Sequence, residues 1–466
     1  MKKPVFLWLT LLSSLLVAVF LIWALAQHGT VGLIRLNGIY KAAFIGLGAI
    51  AVIAPLVAFA GRYIKLHGKV FAGRALAVAA LIFSLPGLLG SPAALVVLSG
   101  VLQRNIGDTP PQLFITPSTG ARGLPDLAVT FNTAGVTSNT VAWGKVLGAD
   151  AGATITEPAA ARVHAFLLRD LEPGTAYYYR VNSGATYIFH TTALDGNLHF
   201  AVGSDVHYGA SGQRGDLTAK LLEQIASTDN KFGYFFMNGD VADWGFDKGM
   251  YREAFTGLAA ATSVIPARII VGNHDTMFSG FGNYLSVGYP GGLPLDGGSK
   301  LWSRIDVGNV HFLLIDLEWS AESFTDEQAA WLETELQTIP SGDWKIVLGH
   351  GFTYASGLEI DGWHWYDNPE TIAKLVPLYE KYGVDLVFAG HDHISELLQK
   401  GGVTYIVTGA FGGLPDAGRT YTSPYSVWYR SGLIDFLDVT ITGNQATLIF
   451  RAPDGSEIYR QAITRT

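Results

Sequence analysis

Residues 234–245 read YFFMNGDVADWG, four apolar residues that break into a glycine-rimmed turn carrying Asp240 and Asp243. An apolar run of this length, bounded by turn residues, reads as a buried strand. Asp-Gly turns are ordinary, so this stretch alone specifies a turn and nothing more. Its weight comes from four further segments built the same way. LHFAVGSDVHYG (198–209) ends in Asp205 and His207, and ARIIVGNHD (267–275) ends in Asn273, His274 and Asp275. WKIVLGHGF (344–352) delivers His350, and VDLVFAGHDHIS (384–395) delivers His391 and His393.

An extended chain throws alternate side chains to one side, so 205/207 and 391/393 can each point as a pair into one cavity. Five of the chain's twelve histidines stand in these turns, beside three carboxylates and an asparagine. Each turn alone is ordinary, but the set together reads as metal ligands. Amphipathic stretches such as LTAKLLEQIAST (217–228) and TDEQAAWLETELQ (325–337) alternate with the strands. That alternation predicts a layered α/β domain with its site at the strand ends. Thr325, followed three residues later by Gln328, reads as a capping box.

Working outward, 466 residues are too many for one ordinary core. Residues 1–100 hold eight of the 31 Lys and Arg and none of the 39 Asp and Glu. The remainder is therefore strongly acidic, which argues against a nucleic-acid-binding surface. No cysteine is present, which excludes disulfides and thiolate metal sites. Residues 5–26, 42–60 and 75–98 are uncharged and predominantly apolar, each near the length of a transmembrane helix. The expectation is thus a membrane region over 1–104 with about three spans. Arg62, Lys65, Lys69 and Arg74 fall on the same side as Lys2 and Lys3, which predicts a multi-pass membrane protein with its later part on the extracytoplasmic side. Ala24-Leu25-Ala26 also fits a signal-cleavage site, although the run is longer than a usual signal core.

Between 111 and 193 the pattern is short β-rich runs separated by turns, including LAVTFNT (127–133), NTVAWG (139–144), AYYYRV (176–181) and TYIFHTT (186–192). Strands at this spacing predict an all-β sandwich. HAFLLRDLEPGTAYYYRV (164–181) is similar to fibronectin type III domains.

The five strand-end blocks, taken in order, resemble the calcineurin-like metallophosphoesterase superfamily, whose signature runs D-x-H, G-D, G-N-H-D/E, G-H and G-H-x-H. The resemblance covers Leu198 to about residue 450. It implies a four-layer α/β sandwich over 198–460, and the preceding β segment suggests the purple-acid-phosphatase-like arrangement. Carried over residue by residue, it assigns Asp205, His207 and His393 to one metal ion and Asn273, His350 and His391 to another, with Asp240 bridging both. The cofactors it implies are two divalent or trivalent ions, Mn, Fe or Zn, which suit this donor set better than Ca. It implies hydrolysis of a phosphate-ester substrate by metal-bound hydroxide, with His274 as proton donor and Asp275 orienting its imidazole.

Purple enzymes carry an iron-ligating tyrosine three residues after the bridging aspartate, and Asp243 stands there instead. No tyrosinate colour is expected, and Asp243 is expected behind the ligands or as a turn cap. Two other functions share the motifs: a phosphodiesterase or nucleotidase, and a non-catalytic surface binding protein. Tyr208 and His364, the latter within the aromatic loop DGWHWYDN (361–368), are candidates for substrate contact. His164, His190, His199 and His311 alternate with apolar residues and read as structural.

Overall fold

The structure, a computed structural model, describes residues 106–120, 122–146, 152–229, 231–245, 247–276, 301–360 and 363–465, with short helical pieces inside 8–80. The chain divides into two compact units, Met1–Arg104 and Asn105–Thr466. The first unit corrects the hydropathy reading. Among the described residues no helix is long and apolar enough to cross a membrane. Most of the expected spans 5–26, 42–60 and 75–98 lie outside the described residues. The multi-pass, extracytoplasmic placement rested on those spans and falls with them.

The second unit begins with seven strands: β1 (Gln112–Thr119), β2 (Pro125–Thr137), β3 (Thr140–Lys145), β4 (Ala153–Thr156), β5 (Ala161–Leu168), β6 (Ala176–Val181) and β7 (Thr186–His190). Then come β8 (Asn197–Gly203), α1 (Gly215–Ala226), β9 (Tyr234–Met237), α2 (Lys248–Thr262), β10 (Ala267–Ile269) and the single turn α3 (Asn273–Thr276). The second half runs β11 (Ser303–Val307), β12 (Val310–Leu314), α4 (Asp326–Thr338), β13 (Trp344–Leu348), β14 (Leu358–Ile360), β15 (Trp363–Trp365), α5 (Pro369–Tyr382), β16 (Leu386–Ala389), β17 (Ser395–Lys400), β18 (Val403–Thr408) and β19 (Ser426–Arg430). Three strands close the chain: β20 (Phe436–Thr442), β21 (Gln445–Arg451) and β22 (Glu457–Thr464).

Two large sheets result, one of nine strands in the order β22-β21-β20-β8-β9-β10-β1-β2-β5 and one of seven in the order β11-β12-β13-β16-β18-β17-β19. Their facing surfaces share one apolar core that includes Phe200, Phe236, Phe312 and Phe388. Phe200 stands edge-on to Phe236 and Phe312, with centroids 5.8 and 5.2 Å away, which locks the sheets face to face. The outer face of the nine-stranded sheet is covered by α1 and α2 through Leu221, Ile225, Tyr251 and Leu258. The outer face of the seven-stranded sheet is covered by α4 and α5 through Leu332, Leu336, Leu375 and Tyr379. Helix, sheet, sheet and helix therefore stack in that order.

The helices are capped as their sequences require. Asn368 accepts from Thr371 N at the start of α5, and Gly383 ends that helix with φ 64°. At α4 only half of the expected capping box forms. Thr325 Oγ1 accepts from Gln328 N, but the Gln328 side chain turns inward and bonds the backbone N–H and C=O of Asp316.

The strands of residues 112–190 do not stand apart from the α/β sheets. β1 pairs in parallel with β10, Phe114 opposite Ala267, so β1, β2 and β5 extend the nine-stranded sheet. The other four form a small sheet, β4-β3-β6-β7, packed on the same core through Val141, Tyr177, Tyr179 and Phe189.

Candidate metal centre

Strands β8, β9 and β10 run parallel, as do β13 and β16, so their carboxyl ends open at one edge of the facing sheets. The turns there are unusual. Asp205, His207, Asp240 and His391 have φ of 57°, 51°, 52° and 70°, a left-handed conformation that costs a residue with a Cβ about 1–2 kcal/mol. Cross-turn hydrogen bonds hold them. Asp205 N donates to Gly239 O (3.1 Å), His207 N to Asp240 O (3.0 Å) and Gly413 N to Asp205 O (2.8 Å). The His391 N–H donates to Asp205 Oδ2 across the two sheets (2.9 Å). Gly272 is required by closeness, since a Cβ there would lie 2.1 Å from Asp240 Oδ1.

The seven expected ligands meet in one cluster. His207 Nε2 and His393 Nε2 are 3.1 Å apart, and Asp205 Oδ1 lies 3.7 and 3.4 Å from them. Asn273 Oδ1 lies 3.1 Å from His350 Nε2 and 3.0 Å from His391 Nδ1. Between the two groups sits Asp240 Oδ2, 3.2 Å from His350 Nε2 and 3.6 Å from His207 Nε2.

The outer ring nitrogens show how the cluster is aimed. His350 Nδ1 faces Asn238 O at 2.6 Å and His393 Nδ1 faces Leu414 O at 2.5 Å. A carbonyl only accepts, so each Nδ1 carries a proton and each Nε2 faces the cluster. His207 Nδ1 donates likewise to Asp243 Oδ1 (3.2 Å). This is how metal-binding imidazoles are usually oriented. Asp205 Oδ1 is fully buried with no hydrogen-bond donor among the described residues. Ring nitrogens that face one another around an orphaned carboxylate oxygen fit cations between them.

Electrostatics give the same answer. Burial alone would raise Asp205 and Asp240, but the charge of His350 opposes it first, and both stay well below the usual carboxylate range. Burial disfavours charge on His207 and His350, yet the carboxylates outweigh it and lift them to about 10 and about 9. His391 goes the other way, pushed down to about 3 by burial and by the charge on His350. Two buried carboxylates thus demand positive charge from whatever can supply it.

The remaining residues part ways with expectation in places. The Asp275 carboxylate does not bond the His274 imidazole. It accepts from the N–H groups of Asp240 (2.8 Å), Gly272 (3.0 Å) and Val241 (3.2 Å) and from the Tyr251 hydroxyl (3.3 Å), holding two ligand turns together. Burial, then the Asp240 charge, push it up to about 7. His274 lines the cavity beside the cluster and is oriented by Asp243, whose carbonyl accepts from His274 Nδ1 at 2.6 Å. Asp243 therefore serves two histidines, one through its carboxylate and one through its backbone. His207, Asp243 and His274 also form a third group whose donor atoms lie within 4.8 Å of one another.

Tyr208 is buried, its hydroxyl end against Gly257 of α2. His364 is exposed and bonds Tyr366, while its neighbour Trp365 lines the cavity. His164, His199 and His311 pair with Glu157, Asp438 and Asp306. Trp319 and Leu414, whose ring and carbonyl shape the site, carried no local signal in the sequence.

Residues 198–395 match the calcineurin-like phosphoesterase family. The chain is similar to purple acid phosphatase 18 of Arabidopsis thaliana, 25% identical over 283 residues covering 57% of this chain and 62% of that protein. It is also similar to acid phosphatase type 7 of Mus musculus, 27% identical over 258 residues covering 51% and 57%. The chain thus spans about three-fifths of the length of these relatives. Among solved structures, purple acid phosphatase PPD1 from yellow lupin seeds shares the fold, with a TM-score of 0.63 and 17% identity over 77% of this chain and 74% of that one.

Proposed function

We propose that this chain, which carries a calcineurin-like phosphoesterase domain, is a metal-dependent phosphoesterase that hydrolyses phosphate esters at a dinuclear centre. The observation that carries this reading is the double cluster: two groups of inward-facing donors with Asp240 between them and a buried oxygen left over on Asp205. Asp205, His207 and His393 would hold one ion, Asn273, His350 and His391 the other, and Asp240 both. Imidazoles, carboxylates and an amide oxygen suit Mn, Fe or Zn. Bound there, the ions supply Lewis-acid polarisation of the phosphoryl group and a lowered pKa for water.

The chain's own residues supply orientation and protons. His274, with Nδ1 spent on the Asp243 carbonyl, has no hydrogen-bond partner for Nε2 among the described residues, and Nε2 would hold or release a proton at the departing oxygen. Asp275 holds the Asp240 and Gly272 turns at their separation. The full set of ligands disfavours an inert binding protein, and relatives named as acid phosphatases support a hydrolase. With Asp243 in place of a tyrosine, metal-loaded protein is expected to show no tyrosinate absorption band.

The test is hydrolysis of chromogenic mono- and diesters by the full chain, stripped by chelator and reloaded with Mn, Zn or Fe. Turnover that returns with metal supports the reading. No turnover of any ester by metal-replete protein would sink it.

A further inference from the structure

The cluster opens into a cavity of about 460 Å³ whose wall on the His391 side is aromatic. Trp319 stands edge-on to His391 at 4.3 Å and to Trp365 at 4.7 Å, and Trp365 lies nearly parallel to His391 at 5.4 Å and 21°. Both tryptophans are only partly buried and both line the cavity, so each keeps ring surface open to it. Their support is firm. Trp365 ends the β14–β15 hairpin, which is anchored where Gly357 and Tyr421 exchange backbone hydrogen bonds of 3.2 and 3.0 Å. Gly357 is needed there, because a Cβ would lie 1.6 Å from Trp365 O. Ala210, Ser211 and Gly212, which also line the cavity, are small and leave room for a flat group.

The charges restrict what that group can be. No Lys or Arg stands among the described lining residues, while Asp243, Asp392 and Asp416 do. A leaving group with its own phosphate or carboxylate would meet acidic side chains and, among the described lining residues, no ammonium or guanidinium. An uncharged ring gains a stacking partner and loses nothing.

We propose that Trp319 and Trp365 form a leaving-group subsite that selects phosphate esters of a flat, uncharged ring system over those of open-chain or anionic alcohols. The assignment rests on the phosphoesterase reading above and names its substrate class.

The matched pair is benzyl phosphate and propyl phosphate, whose alcohols are of similar acidity, so their ratio reads the ring and not the ease of departure. The metal-loaded full chain is expected to favour benzyl phosphate about tenfold in kcat/KM, chiefly through KM. In Trp365→Leu and Trp319→Leu the ratio falls towards one, and Trp365→Phe restores most of it. Calorimetry gives a second readout without turnover. Benzylphosphonate binds metal-loaded protein about five- to tenfold tighter than propylphosphonate, and the leucine variants erase the difference. A wild-type ratio near one, or one that survives both leucine variants, refutes the subsite and leaves the phosphoesterase reading standing. Equal loss of both substrates in the variants also refutes it, since the rings would then only seat His391. Hydrolysis of neither ester by wild type, with equal affinity for the two phosphonates, refutes the subsite, while the phosphoesterase reading is decided by the wider panel of mono- and diesters.

Discussion

The two sheets contribute unequal halves of the centre. The nine-stranded sheet supplies both carboxylates, the amide and one imidazole, while the seven-stranded sheet supplies three imidazoles. The first half is built by its own backbone. Three of its residues are held at positive φ, and Asp275 ties the Asp240 and Gly272 turns into one piece. The second half leans on the first: His350 is aimed by the Asn238 carbonyl and His391 by the Asp205 carboxylate. Two of the three imidazoles of the second half thus take their position from docking against the first, while His393 is aimed by the Leu414 carbonyl on its own side. Such preorganisation lets a site hold charge without reorganising when substrate arrives.

The sharpest break removes one member of each half. Asp240→Asn and His350→Ala are each expected to lower turnover by about a thousandfold or more, because bound ions supply several kcal/mol of charge stabilisation. Metal content by elemental analysis should fall with activity while circular dichroism stays native. Near-normal turnover in either variant would contradict the two-ion assignment. Next comes the first half itself. Asp275→Ala strips an acceptor from buried N–H groups and should cost about 3 kcal/mol in urea unfolding, with metal affinity falling as well. An unchanged unfolding midpoint would mean that the turns hold each other without it.

His274→Ala is expected to reduce kcat about a hundredfold while metal content is retained, as suits a proton donor beside the ligands. Loss of metal in this variant would make His274 a ligand instead. Asp243→Ala should weaken metal binding by about tenfold through His207, the usual scale for a residue that supports a ligand.

The smallest effect compares Asp275 with a second buried carboxyl, Asp435, which sits before β20 and accepts from Ser395 Oγ at 2.6 Å. Burial pushes Asp435 up to about 7, and the Ser395 hydroxyl only partly offsets it. An acid whose folded pKa exceeds its unfolded one binds the extra proton in the folded state. Its contribution is therefore largest at low pH, declines between about pH 4 and 7, and is flat above that. Asp435→Asn should be the more stable relative to wild type at pH 8 than at pH 5, by about 1–2 kcal/mol in thermal unfolding. A gap that does not change with pH would show that the carboxyl ionises freely in the fold.

Much of this centre was legible from local pattern. A short apolar run followed by Gly and then Asp, His or Asn reports a strand end, and five of them in order named the residues that converge. The cap Thr325 follows the same logic, because capping depends on a few neighbouring residues. The limits of local reading are equally concrete. Hydropathy marked 5–26, 42–60 and 75–98 as long enough to cross a bilayer, yet no described helix is long enough and apolar enough to do so. The β-rich pattern of 111–193 was read as a separate sandwich, and nothing in it revealed that β1 would pair with β10 across about 150 residues. Gln328 fitted a capping box until the buried Asp316 backbone claimed its side chain.

By itself, the sequence determined the residue types, their order and the turns that carry them, because side-chain periodicity and the needs of glycine-bound turns act over a few positions. Only the tertiary structure decided which atoms face inward, and it did so through partners far apart in the chain. His391 meets Asp205 across 186 residues and His350 meets Asn238 across 112. It also moved Asp275 from His274 to the turn backbones, gave Asp243 its two histidines, and brought Trp319 beside Trp365. A hydrogen bond or ring contact is set by distance and angle in space, and those exist only once the two sheets have packed.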